Sequence, residues 1–184
     1  MDTFFETKDN VVTGFKLKVS ADIPDGVVRI GSGAFEDCDA LIQVNIPSSV
    51  VSIGDCAFAG CINLKHIIIP NSVARIGDGA FEDCTALKSV KLGSSVTDIG
   101  DCAFKNCASI KSITIPDNIT RIGYEAFEDC RNLTDITIPD SVMRIDGLAF
   151  YNCTSLEYIR IPKHFSAEDI ECWGLPDTCE IIRD

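Results

Sequence analysis

Basic residues are scarce in this chain: 16 Lys and Arg stand against 28 Asp and Glu, a formal net charge of −12. Binding along a nucleic-acid backbone needs a basic footprint, and an anionic membrane surface attracts the same residues. Neither is an expected partner. The balance suits a soluble, non-sticky module or a basic partner. No apolar run approaches the roughly eighteen residues of a membrane span, so no membrane insertion is expected. Met1 is followed by Asp2, Glu6 and Asp9 rather than by the positive and then apolar stretches of a secretory signal. Two expectations stay open from this: a product that stays inside the cell, or an excised mature fragment.

Motifs that carry chemistry are equally thin. There are two histidines, His66 and His164, and no C-x-x-C pair or histidine at ligand spacing for zinc. No glycine-rich phosphate loop is present, because the glycines recur with a longer period. The acidic pairs Glu36–Asp37, Glu82–Asp83 and Glu128–Asp129 are spaced too widely to converge on one calcium ion, and read as a solvated acidic edge. No cofactor and no metal is expected, and the chain reads as not an enzyme.

What is present is a repeat. Residues 69–91 read IPNSVARIGDGAFEDCTALKSVK, and the same phase returns every 23 residues. Proline marks it at Pro24, Pro47, Pro70, Pro116, Pro139 and Pro162, with Gly93 standing in once. Phenylalanine keeps step at Phe35, Phe58, Phe81, Phe104, Phe127 and Phe150. One unit has too few apolar residues for a core, whereas stacked copies bury each such residue on its counterpart. With neighbours about 4.8 Å apart, the chain reads as a solenoid of six units, 23–45, 46–68, 69–91, 92–114, 115–137 and 138–160, in a single domain.

Within a unit, Val90 and Leu92 face in while Ser89 and Lys91 face out, which predicts a short strand in a parallel sheet. S-V-x-x-I-G is extended, a candidate second strand. G-x-x-A-F-x-x-C fits one turn of 3₁₀ or α-helix. Phe-Glu-Asp-Cys at Phe35, Phe81 and Phe127 comes with Arg29, Arg75 and Arg121, in alternate units. This doubled period of 46 residues is read as a way to keep like charges off adjacent rungs.

The cysteines Cys38, Cys61, Cys84, Cys107, Cys130 and Cys153 share one phase and read as a ladder of buried thiols acting as small apolar residues. Cys56 and Cys102 share another phase, two coils apart and too far to bridge. Cys172 and Cys179 are the one pair considered for a disulfide. The stretch before residue 23 predicts a capping β-hairpin turning at Lys8, Asp9 and Asn10, with Thr13, Phe15, Leu17 and Val19 alternating and Phe4 and Phe5 over the open end. Residues 161–184 predict a second cap: a short helix over 167–173 with Ile170 and Trp173 on the last coil, a turn at Leu175-Pro176-Asp177, and a strand over 179–182. An alternative makes Trp173 an exposed binding anchor.

The L-x-x-V-x-I core resembles a leucine-rich repeat, and the whole unit, with I-P, S-V-x-x-I-G and A-F-x-x-C, is similar to the BspA-like class over residues 23–162. The position of the usual Asn or Cys ladder holds Ser49, Ser72, Ser95, Asn118 or Ser141, which departs from the general signature. The resemblance implies an α+β solenoid, a right-handed coil with a parallel β-sheet face. It also implies a cell-surface or secreted module that adheres to a host or matrix protein, as family members at bacterial and protozoal surfaces do. An intracellular protein-interaction scaffold is the alternative, favoured by the missing signal sequence and by cysteines expected to stay reduced.

Core positions are nearly identical from coil to coil, but the outward pairs of the strand change at every rung: Gln43/Asn45, His66/Ile68, Ser89/Lys91, Ser112/Thr114, Asp135/Thr137 and Tyr158/Arg160. A rigid, adjustable face of this kind suits partner recognition. His66, Ile68, Lys91, Tyr158 and Arg160 are the expected contacts. His66 is placed between Gln43 and Ser89 with no carboxylate to orient it, as a catalytic Ser–His pair would need. His164 is expected to be a solvated surface residue. The two caps argue for a monomer.

Overall fold

The computed structural model describes residues 5–15 and 19–183, and in it the repeat is a stacked coil. In chain order the elements are β1 (Phe5–Lys8), β2 (Val11–Phe15), β3 (Ser20–Asp22), β4 (Arg29–Ile30), β5 (Gln43–Asn45), β6 (Ser52–Ile53), β7 (His66–Ile68), β8 (Arg75–Ile76), β9 (Ser89–Lys91), β10 (Asp98–Ile99), β11 (Ser112–Thr114), β12 (Arg121–Ile122), β13 (Asp135–Thr137), β14 (Arg144–Ile145), β15 (Tyr158–Ile161), α1 (Ala167–Glu171) and β16 (Glu180–Arg183).

The I-G strands and the hairpin form an eight-stranded sheet in the order β1-β2-β4-β6-β8-β10-β12-β14. On the other flank, the three- and four-residue strands form two four-stranded sheets, β3-β5-β7-β9 and β11-β13-β15-β16. Every pairing after the hairpin is parallel, with residues 23 apart opposite each other through the repeats, as in Ile53 against Ile76. The register is forced because only one phase puts each apolar residue on its own kind.

Between the sheets lies the core. Phe35 to Phe150 form one column of nearly parallel rings, with centroids 4.7 Å apart at its first step and 5.7 Å at its last. The thiols of Cys61, Cys84, Cys107, Cys130 and Cys153 are fully buried beside it. Each donates to the carbonyl of the phenylalanine one coil back, for example Cys107 Sγ to Phe81 O at 3.1 Å. Glycine at 31, 54, 77, 100 and 123 lets the coils approach: a Cβ on Gly77 would sit 2.6 Å from the backbone N of Asp55.

The A-F-x-x-C segment closes through single i+3→i turns, such as Glu36 N to Gly33 O and Cys38 N to Phe35 O. It does not run on into a helix because two residues per coil hold a left-handed backbone. One is Gly33, Cys56, Gly79, Cys102, Glu125 or Leu148. The other, four residues later, is Asp37, Gly60, Asp83, Asn106, Asp129 or Asn152. Asp, Asn and Gly carry the smallest cost there, so the second row is chosen for its backbone before its charge.

Several expectations are corrected. The hairpin forms and turns through Asp9 and Asn10, both at positive φ, but Val12 faces the core while Thr13 and Val19 are exposed. Phe4, Leu17 and the side chains of Phe5 and Phe15 lie outside the described residues. Trp173 is no exposed anchor. It is fully buried, edge-on to Phe165 with centroids 4.9 Å apart, and its carbonyl accepts from Phe150 N where other coils use an alanine. Cys172 and Cys179 are free thiols. His164 is exposed, as expected, and in addition its Nε2 lies 2.9 Å from Val142 O. It takes the place where Ser49 and Ser72 donate to Val27 O and Val50 O.

Like charges are not kept off adjacent rungs throughout, since Arg121 and Arg144 are register partners. Asp146 relieves them: it stands where the other coils have glycine and its carboxylate contacts both guanidinium groups. The acidic edge is solvated in part: Glu36, Asp37 and Asp83 are exposed as expected. Glu82, Glu128 and Asp129 are half-buried.

Candidate surface for partner binding

The alternation of the long strands fixes which side chains leave the molecule. In β7, Ile67 points into the core, so His66 and Ile68 point out, and Ile68 is 64% exposed. His66 is opposite Gln43 on one side and Ser89 on the other; Ile68 is opposite Lys91. Tyr158 lies between Asp135 and Glu180, and Arg160 between Thr137 and Ile182.

All five expected contact residues therefore stand on one face, but in two groups. His66, Ile68 and Lys91 belong to the first four-stranded sheet, Tyr158 and Arg160 to the second, with the smaller side chains of β11 and β13 between them. A cleft of about 520 Å³ opens at the first group, lined among others by Ile42, Gln43, Asn45, Lys65, His66 and Ile68. Polar side chains around an apolar floor are what a docking face offers a partner. His66 has neither a carboxylate nor a nucleophile with its own base beside it in this register, so its surroundings suit contact rather than proton transfer.

Reasoning from the alternating positions missed the row just ahead of each strand. Lys65, Lys88 and Lys111 occupy it on successive rungs, all exposed, with Lys88 N bonded to Lys65 O at 2.9 Å. Their 23-residue spacing was the available signal.

A second charged cluster lies on the turn side. Lys105 Nζ is 2.5 Å from Glu125 Oε2 and 2.8 Å from Glu128 Oε2. The hydrogen bond from Lys105 holds Glu125 well below the usual carboxylate range, at about 2. Burial instead pushes Glu128 and Glu82 up. Burial also raises the neighbouring Cys102 thiol, to about 11, so it is a poor nucleophile at neutral pH. Among the described residues no group of His, Cys, Asp and Glu is arranged to hold a metal ion, and no helix is long and apolar enough to cross a membrane.

The family model for the BspA type leucine rich repeat region matches six copies, over residues 15–134 and 97–174. Among solved structures, the T. pallidum leucine rich repeat protein is 27% identical, with a TM-score of 0.80, covering 95% of this chain and 88% of that one. A leucine-rich repeat protein from Eubacterium ventriosum is 24% identical with a TM-score of 0.77, covering 99% of this chain and 46% of that one. A leucine rich cell surface protein from Faecalibacterium prausnitzii is 26% identical with a TM-score of 0.50, covering 83% and 62%. No curated protein sequence matches the chain.

Proposed function

The chain belongs to the BspA-type leucine-rich repeat family, and on that footing we propose that it is a non-enzymatic protein-binding module that works at a cell surface, its partner docking on the outward face of the long strands. One observation carries the reading. Inward positions repeat from coil to coil, while the outward pairs, from Gln43/Asn45 to Tyr158/Arg160, differ at every rung of the same rigid sheet. A stacked scaffold needs only its inward residues to be uniform, so the outward face is free to be shaped to a partner. The likeness to the F. prausnitzii cell surface protein supports a surface location, and a variable outward face would serve adhesion to a host or matrix protein. The ten free cysteines favour a second reading, an intracellular scaffold in a reducing compartment.

The test is a binding screen of the purified chain against extracellular-matrix proteins and a host cell-surface panel, beside a His66→Ala/Ile68→Ala/Tyr158→Ala/Arg160→Ala variant. Binding that the variant loses supports adhesion through this face. Binding that it keeps moves the site elsewhere, and no binding at all favours the scaffold.

A further inference from the structure

The net charge of −12 hides a local reversal. On rungs β7, β9 and β11 the outward face and the row ahead of it read Lys65/His66/Ile68, Lys88/Ser89/Lys91 and Lys111/Ser112/Thr114: four exposed lysines and no carboxylate. Among the described residues none of these lysines makes an ion pair, whereas Lys105 is bound by two glutamates. Over the next rungs the same face turns acidic on balance, with Asp135, Glu157 and Glu180 against Arg160.

Resting on the docking face assigned above, we propose that the partner segment seated on β7–β11 is an acidic stretch of polypeptide, lying across the three rungs with its carboxylates on Lys65, Lys88, Lys91 and Lys111. Three rungs span about 10 Å, and an extended peptide sets same-side residues roughly 7 Å apart. Two or three carboxylates of a short segment therefore meet all four ammonium groups. Lysine is a mobile point charge and asks for no fixed fork geometry, which suits side chains arriving from an extended chain. The cleft at Ile42 and Ile68 gives a neighbouring apolar residue of that segment a seat. A nucleic acid fits less well: these three rungs have no Phe, Tyr or Trp for bases to stack on, only the single ring of His66, and its phosphates would run on into Asp135 and Glu157.

The experiment is fluorescence anisotropy with a labelled hexaglutamate peptide at 20 and 150 mM NaCl. It compares the wild-type chain, a K65Q/K88Q/K91Q/K111Q variant and a K8Q/K163Q control, with thermal melts confirming that all three are folded. With four exposed pairs lost, the quadruple variant should bind at least about fourfold more weakly at 20 mM NaCl. The control should stay within about twofold, and the wild-type Kd should rise with salt. Equal binding by the quadruple variant overturns the proposal. So does equal, lysine-dependent binding of a labelled single-stranded DNA hexamer, which would make the patch a general anion site. Lysine-dependent self-association in sedimentation would assign the face to a second copy and overturn it too. If the alanine variant of the previous section loses its protein partner while hexaglutamate shows no lysine dependence, the docking face stands and only the acidic class falls.

Discussion

Asn106 donates its Nδ2–H to Asp83 Oδ1 at 2.7 Å, exactly one coil away in sequence, and both residues hold a left-handed backbone, φ 56° and 59°. Asn152 repeats the contact on Asp129. The position therefore carries two demands, a conformation that L-residues resist and a side-chain rung between coils. Asn106→Ala should cost about 1–3 kcal/mol, combining the strain of the left-handed state with the lost hydrogen bond. Asn106→Gly keeps the conformation and should cost less. Urea denaturation of the two variants checks the order; equal losses would contradict it.

Glycine matters for a different reason at Gly77. A Cβ there meets backbone of the previous coil at 2.6 Å, and backbone cannot swing aside. Gly77→Ala should destabilise by about 1–3 kcal/mol. At Gly147 the nearest atom is 3.7 Å away and φ is ordinary, so Gly147→Ala should be neutral or stabilising by up to about 1 kcal/mol. Thermal melts of both variants make the comparison.

Thiol reactivity should follow burial. Cys61, Cys84, Cys107, Cys130 and Cys153 are inaccessible, and burial lifts Cys84 and Cys153 to about 12, so little thiolate exists to react. A thiol-specific reagent such as DTNB at pH 8 should label exposed Cys172 first and leave these five unmodified in the native state. All ten should react in guanidinium. Early loss of a ladder thiol without unfolding would contradict the packing.

Acid should expose the Lys105 cluster. Glu125 has its folded pKa lowered to about 2 from 4.5, so its contribution is present above pH 4.5 and is lost as pH falls from there toward 2. Glu82 and Glu128 are shifted up, so protonating them as pH falls favours the folded chain and acts in the opposite sense. Glu125→Gln should flatten the fall in stability below pH 4.5 relative to the wild type. Melting temperatures between pH 2 and 6 report it, and an unchanged slope would show that the ion pair contributes nothing.

The solenoid was legible because burial repeats with the sequence: every residue of the Phe column could be placed by counting in steps of 23. Both caps were legible where a turn or a break in phase marked them, at Asp9-Asn10 and after Pro162. Other features were hidden. Val12 faces inward because β2 joins the eight-stranded sheet beside β4, a pairing that local alternation cannot reveal. Asp37, Asp83 and Asp129 read as an acidic edge because charge was visible in the letters and the left-handed backbone was not. Trp173 could be an anchor or a plug until the last coil was seen to close on it. On the proposed docking face, the outward residues followed from the alternation of the strands. The lysine row did not, because the net charge of the chain pointed the other way.

The most direct measurement is photo-crosslinking from single positions to a partner found in the binding screen. One variant carries a photoreactive residue at Ile68, on the long-strand face, and a second carries it at Val51, exposed next to β6 in the eight-stranded sheet. Crosslinking from position 68 and none from position 51 is the expected result. Crosslinking from 51 alone would place the partner on the opposite flank and contradict the assignment.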